Sequence, residues 1–173
     1  IKIYGFGSDG SVGASKDLLK IIGEEKFVQG YFEYDSKKSG GLTISHLRFN
    51  DESIKAPYYL TNPNIIVVTK DNYLNKYDIL KNVKENGILI INTNKTDETL
   101  NKILPNNIKE IIKSKNINVY KLNADEIARN NNITGRIGII IKSIILDKLN
   151  ITNYKDKLIN LIKKRFSMKG EEI

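Results

Sequence analysis

Apolar residues in this chain follow two periods. Ile1 to Tyr4, Asn64 to Thr69, Gly87 to Asn92 and Ile117 to Leu122 are short runs of mostly Ile, Val and Leu. Such runs predict strands, and the most continuous of them, Ile65-Ile-Val-Val68, predicts one covered on both faces. Elsewhere the spacing lengthens to the helical repeat. Val12, Leu18, Leu19 and Ile22 line one face of a helix over Ser11 to Ile22, with Gly23 as its stop. Further helices are expected over Tyr73 to Lys84, after Thr96 as a cap, from Pro105, and over Ala124 to Asn130, Arg136 to Leu149 and Tyr154 to Phe166. The Arg136 to Leu149 segment carries isoleucine or leucine on nearly every side, which predicts burial between other elements or against another protein surface.

One stretch breaks this alternation. Phe27 to Tyr34 is rich in aromatics and Leu42 to Phe49 in Leu, Thr and Ile, both strand-like, and only Asp35-Ser-Lys-Lys-Ser-Gly-Gly41 joins them. Parallel neighbours need a crossover of about a dozen residues or more, so these two strands are expected to run antiparallel, as a hairpin or a splayed pair. Pro57 and Pro63 then bracket an irregular link. The predicted fold is a three-layer α/β/α sandwich with a mixed sheet including an antiparallel hairpin, in a single domain over residues 1–173.

Composition narrows the chemistry. With 173 residues, 40% of them hydrophobic, the chain can bury one core. It has no cysteine, which excludes a disulfide framework, a thiolate nucleophile and cysteine-ligated zinc or iron–sulfur clusters within these residues. No apolar run approaches membrane-spanning length and the opening residues show no signal-peptide pattern, so the expectation is a cytoplasmic setting with no membrane partner. The net charge of +8 admits nucleic acid or phosphate-bearing metabolites, but the basic residues are scattered and few aromatics lie among them, which argues against a nucleic-acid binder.

Gly5-Phe-Gly7-Ser-Asp-Gly10 matches G-x-G-x-x-G between a strand and a helix, where backbone N–H groups attract phosphate, and Glu33 or Asp35 falls near the ribose-binding position of a dinucleotide fold. That fold requires a parallel second strand, whereas here the chain turns straight back. An independent NAD or NADP protein is therefore the weaker alternative. His46, the only histidine, reads as a hydrogen-bonded structural residue, because its sequence neighbourhood offers no catalytic partner. Glu24-Glu25, Asp51-Glu52 and Glu171-Glu172 read as solvated carboxylates. Lys155, Lys157, Lys163, Lys164, Arg165 and Lys169 beside Leu158, Ile159, Ile162 and Phe166 make an amphipathic C-terminal helix, expected to pack on the chain's own sheet, with docking to a neighbour as the alternative.

Several of these stretches together resemble the gamma domain of pyruvate:ferredoxin (flavodoxin) oxidoreductase, of the 2-oxoacid oxidoreductase family. They are Tyr4 to Ala14, Tyr31 to Phe49 with its Tyr-Asp-Ser-Lys-Lys-Ser-Gly-Gly core, Lys76-Tyr-Asp78, Asn123 to Ala128, Gly135-Arg-Ile137 and Lys169-Gly-Glu-Glu172. After Asn92 the chain departs from that pattern, reading Thr-Asn-Lys-Thr-Asp where a proline and often a tryptophan would be expected.

The resemblance implies a part of a larger enzyme that decarboxylates pyruvate on thiamine diphosphate with Mg, passes electrons through iron–sulfur clusters to ferredoxin or flavodoxin, and forms acetyl-CoA. It also implies that this domain covers the active site and helps bind coenzyme A, with its partners the other domains or subunits of the enzyme. The residues expected to do so are Lys37 and Lys38 for charge, Ser39 and Gly40 for close hydrogen bonds, and Gly7, Ser8 and Asp9 as the facing wall.

Overall fold

The computed structural model describes residues 1–35, 40–151 and 154–166. Its elements run β1 (Lys2–Phe6), α1 (Ser11–Ile22), β2 (Phe27–Tyr34), β3 (Leu42–Asn50), β4 (Ile65–Val68), α2 (Tyr73–Lys76), β5 (Ile88–Asn92), α3 (Asp97–Ile103), α4 (Asn106–Ser114), β6 (Asn118–Leu122), α5 (Ala124–Asn130), α6 (Ile137–Lys148) and α7 (Tyr154–Phe166). The six strands form one sheet in the order β2-β3-β1-β4-β5-β6. β1, β4, β5 and β6 are parallel, while β3 is antiparallel to both β1 and β2. The mixed sheet and its hairpin are as the sequence predicts.

Alternate residues of the buried strands feed two separate cores, because side chains leave a strand on opposite faces. Ile3, Leu47, Ile65, Val67 and Ile90 pack with Leu18, Ile21, Ile141, Ile145 and Leu158 of α1, α6 and α7. Tyr4, Ile66, Val68, Leu89 and Ile91 pack on the other face with Tyr73, Leu74, Leu100 and Ile108 of α2, α3 and α4. This gives three layers.

The helix expected over Tyr73 to Lys84 ends at Lys76. Tyr77 is extended, with φ −132° and ψ 150°, and Asn82 and Asn86 take left-handed backbone, φ 56° and 55°, which a helix cannot accommodate. Ile79, Leu80 and Val83 are nonetheless buried, so turns meet the same apolar demand that the helical spacing suggested. The other predictions hold closely. Thr96 caps α3 by accepting from Thr99 N at 3.2 Å, and Pro105 precedes α4. In α7, Leu158 is buried in the first core, and Lys157 bridges Glu24 and Glu25 at 3.0 and 2.6 Å, so these two carboxylates are paired at the surface.

Candidate functional site

The chain leaving β1 turns into the first helical layer through α1, and the chain leaving β4 turns into the second through α2. The carboxyl ends of these neighbouring parallel strands therefore diverge, the place where open α/β sheets hold ligands. Asp9 closes the gap between them. Its carboxylate accepts from Phe6 N at 2.7 Å, Ser11 N at 2.8 Å and Thr69 Oγ1 at 2.6 Å, which ties the glycine turn to the end of β4. Ser8 stands exposed beside it in left-handed backbone, φ 76°.

The hairpin comes to this same point. Gly7 N donates to Gly41 O at 2.8 Å, and a Cβ on Gly7 would lie only 3.2 Å from Gly40 N. Gly40, at φ 72°, lies against the Phe6 ring, so a side chain there would need both strained backbone and a displaced ring. Gly7, Ser8, Asp9 and Gly40 are thus gathered along one rim. Lys37, Lys38 and Ser39 lie outside the described residues.

Two concavities flank the rim. One of about 390 Å³ is lined by Ser8, Gly10, Gly13, Gly135, Arg136 and Lys142, where α1 and α6 begin side by side. The other, of about 410 Å³, follows the carboxyl ends of β4 and β5, with Thr69, Lys70, Asn92, Thr93, Asp125 and Arg129 among its lining. Asn92 is its organiser. Its amide nitrogen donates to Thr69 O at 3.1 Å and Asp125 Oδ2 at 3.0 Å, and its oxygen accepts from Ala124 N at 2.8 Å. Lys70 Nζ stands 5.7 Å from the Phe6 ring centre, so the ring that meets Gly40 also carries a cation nearby. Sequence reasoning passed over Thr69, Lys70 and Asn92; the one local signal was a polar residue closing each apolar strand.

His46 is 2% exposed and fully engaged. Its Nδ1 accepts from Leu60 N at 3.0 Å, so Nε2 carries the proton and donates to Glu33 across the β2–β3 pair. Glu33, the acid nearest a ribose-binding position, is therefore occupied on an antiparallel strand. Burial lowers the His46 pKa below its ordinary 6.5, the Lys2 and Arg48 charges act in the same direction, and the Glu33 hydrogen bond opposes them. The unfolded chain then takes up this proton more readily than the folded one, so the stability contribution is complete above about pH 6.5 and is lost as pH falls below it. Thermal unfolding midpoints measured from pH 7 to pH 5 should fall more steeply than those of His46→Gln; matching profiles would refute this.

The family model for pyruvate ferredoxin/flavodoxin oxidoreductase matches residues 1–173. The chain belongs to this oxidoreductase family. Relatives include pyruvate-flavodoxin oxidoreductase of Klebsiella pneumoniae, 37% identical over 99% of the chain, and pyruvate:ferredoxin oxidoreductase of Moorella thermoacetica, 36% identical over 99%. The chain spans only 15% of the length of each of these relatives. Among solved structures, a pyruvate oxidoreductase subunit from Thermotoga maritima aligns with a TM-score of 0.71 at 23% identity, covering 98% of this chain and 83% of that one. A 2-oxoglutarate:ferredoxin oxidoreductase from Magnetococcus marinus, solved with 2-oxoglutarate, coenzyme A and succinyl-CoA bound, aligns with a TM-score of 0.76 at 15% identity, over 99% of this chain and 27% of that one. At these identities the two structures speak for the fold alone. No helix among the described residues is long and apolar enough to cross a membrane.

Proposed function

We infer that the chain is a gamma-type domain, residues 1–173, of a pyruvate-type 2-oxoacid:ferredoxin or flavodoxin oxidoreductase, and that it helps bind coenzyme A and cover the active site. The observation that carries this reading is the contact between the glycine turn and the glycine end of the hairpin, where Gly7 N meets Gly41 O at the diverging ends of β1 and β4. The glycine turn and the glycine end of the hairpin, over thirty residues apart in sequence, share a rim there.

The division of labour follows from the residues available. Glycine at 7 and 40 lets the turn and the hairpin meet closely, Asp9 braces the turn, Lys37 and Lys38 supply charge for the phosphates, and Ser39 supplies a hydroxyl. The chain has no cysteine to hold an iron–sulfur cluster, so clusters, like thiamine diphosphate and its Mg ion, are assigned to other domains of the enzyme, which pass electrons to ferredoxin or flavodoxin. This domain positions the co-substrate and the bond chemistry occurs elsewhere.

A charge-assisted hydrogen bond contributes about 1.5–3 kcal/mol. Replacing Lys37 and Lys38 together by Ala in the complete enzyme should therefore raise the KM for coenzyme A about tenfold or more, with kcat little changed. Steady-state kinetics with varied coenzyme A checks this, and an unchanged KM would sink the assignment.

A further inference from the structure

The near end of β3, at Leu42 and Ile44, packs against the second core. On that face the sheet carries Gln29, Tyr31 and Glu33 of β2 opposite Arg48, His46 and Ile44 of β3. What lies over them is an irregular strap, residues 56–60, held by side chains of the sheet. Arg48 Nη1 donates to Pro57 O and, at 3.4 Å, to Tyr58 O, while Nη2 donates to Tyr59 O at 2.7 Å. Gln29 Nε2 donates to Ala56 O at 2.9 Å, and Leu60 N donates to His46 Nδ1 at 3.0 Å. Five consecutive residues of an exposed segment are thus pinned through their backbone.

Pinning the carbonyls inward leaves the tyrosine rings at the surface. Tyr58 is 64% exposed and Tyr59 52%. Both are braced by Tyr31, whose ring centre lies 5.9 Å from that of Tyr58, in a stacked arrangement, and 5.0 Å from that of Tyr59. The Tyr31 and Tyr59 hydroxyls are 3.4 Å apart. Fixing an exposed loop costs conformational entropy, and this loop adds no residue to either core in return. Rigid exposed tyrosines suit a docking surface, because they give large contact area and a hydroxyl with little left to order on binding.

We propose that the strap 56–60, with Tyr31 behind it, docks against another domain or subunit of the same oxidoreductase. This rests on the proposed function, in which the chain works inside a complete enzyme. Its occupant follows from length and charge. The matched unit is 15% of the Klebsiella and Moorella relatives and 27% of the Magnetococcus chain, so in those proteins most of the polypeptide lies outside this fold. The nearby cation Arg48 is directed to backbone carbonyls and His46 is hydrogen-bonded as a neutral ring, which leaves a mainly aromatic, hydroxyl-bearing patch. Such a patch matches the interior of a protein interface.

The test is tyrosine nitration of the complete enzyme, mapped by mass spectrometry and compared with the urea-unfolded enzyme. Tyr58 and Tyr59 should react about tenfold more slowly in the assembled enzyme than their exposure here allows, and crosslinks from the strap should reach another domain or subunit. Tyr58→Ser with Tyr59→Ser should weaken that association, read by size-exclusion chromatography or by faster proteolytic release of the domain, without raising the coenzyme A KM. Nitration at the unfolded rate would overturn the proposal, as would protection that appears only when two copies of this domain associate. If Lys37 and Lys38 prove irrelevant to coenzyme A while the strap stays protected, the ligand assignment fails and the docking surface stands.

Discussion

Asp17→Leu should destabilise the chain by about 3–5 kcal/mol, and adding Lys142→Met to it should recover most of that loss. The reason lies between α1 and α6. Lys142 Nζ donates to Asp17 Oδ2 at 2.7 Å, and the two side chains are 2% and 1% exposed. Two charges taken out of water recover little from each other, so the intact pair is weak support for stability. An ammonium left at the same depth with no carboxylate is a large cost, because nothing replaces its lost hydration. The double variant removes both charges and fills the space with apolar atoms, so it should approach the parent. Urea unfolding of the 173-residue chain with linear extrapolation measures both. Asp17 lines the cavities at either side of α1, of about 600 and 390 Å³, and water entering there is the competing effect. A loss below about 1 kcal/mol for the single variant would mean that such water solvates Lys142.

Gly138→Ala should be the next most costly change. A Cβ at Gly138, in the first turn of α6, would lie 2.5 Å from Gly10 O and 3.0 Å from Gly10 C, and both are backbone atoms. Gly10 O already accepts the α1 hydrogen bond from Ala14 N at 2.9 Å, so it cannot retreat without loosening the start of that helix. Alanine in a helix is worth up to about 1 kcal/mol over glycine, whereas forcing packed backbones apart costs about 1–3 kcal/mol. Overpacking should win, giving a net loss of about 1–2 kcal/mol in denaturant unfolding. The displacement falls on the Ser8–Gly10 wall, so in the complete enzyme the coenzyme A KM should rise as well. A stabilised variant would show that the helices separate freely at this point.

Local composition carried much of the fold. Continuous apolar runs marked β4 and β5, the short basic loop forced β2 and β3 to be antiparallel, and α1, α5, α6 and α7 fall within about two residues of the spacing-based ranges. The segment after Tyr77 shows the limit of this reading. Ile79, Leu80 and Val83 meet the burial requirement in turns, and periodicity alone cannot tell a turn from a helix when asparagines supply left-handed backbone.

The candidate site was legible only as two separate motifs. Gly5 to Gly10 and Lys37 to Gly41 each stood out by residue type, since glycine and clustered charge announce themselves locally. That Gly7 would donate to Gly41 O, that Asp9 would hold Thr69 from sixty residues away, and that Lys70 would stand by the Phe6 ring depended on strand order, which no spacing encodes.

The same boundary separates the other findings. The sequence by itself determined the α/β class, the antiparallel hairpin, the absence of cysteine chemistry and the family, because each follows from residue types within one short window or from their order along the chain. Only the tertiary structure decided the Lys142–Asp17 pair, the Glu33–His46 bond and the strap clamped by Arg48, because a hydrogen bond between residues far apart in sequence exists only once the sheet has brought their strands and helices together.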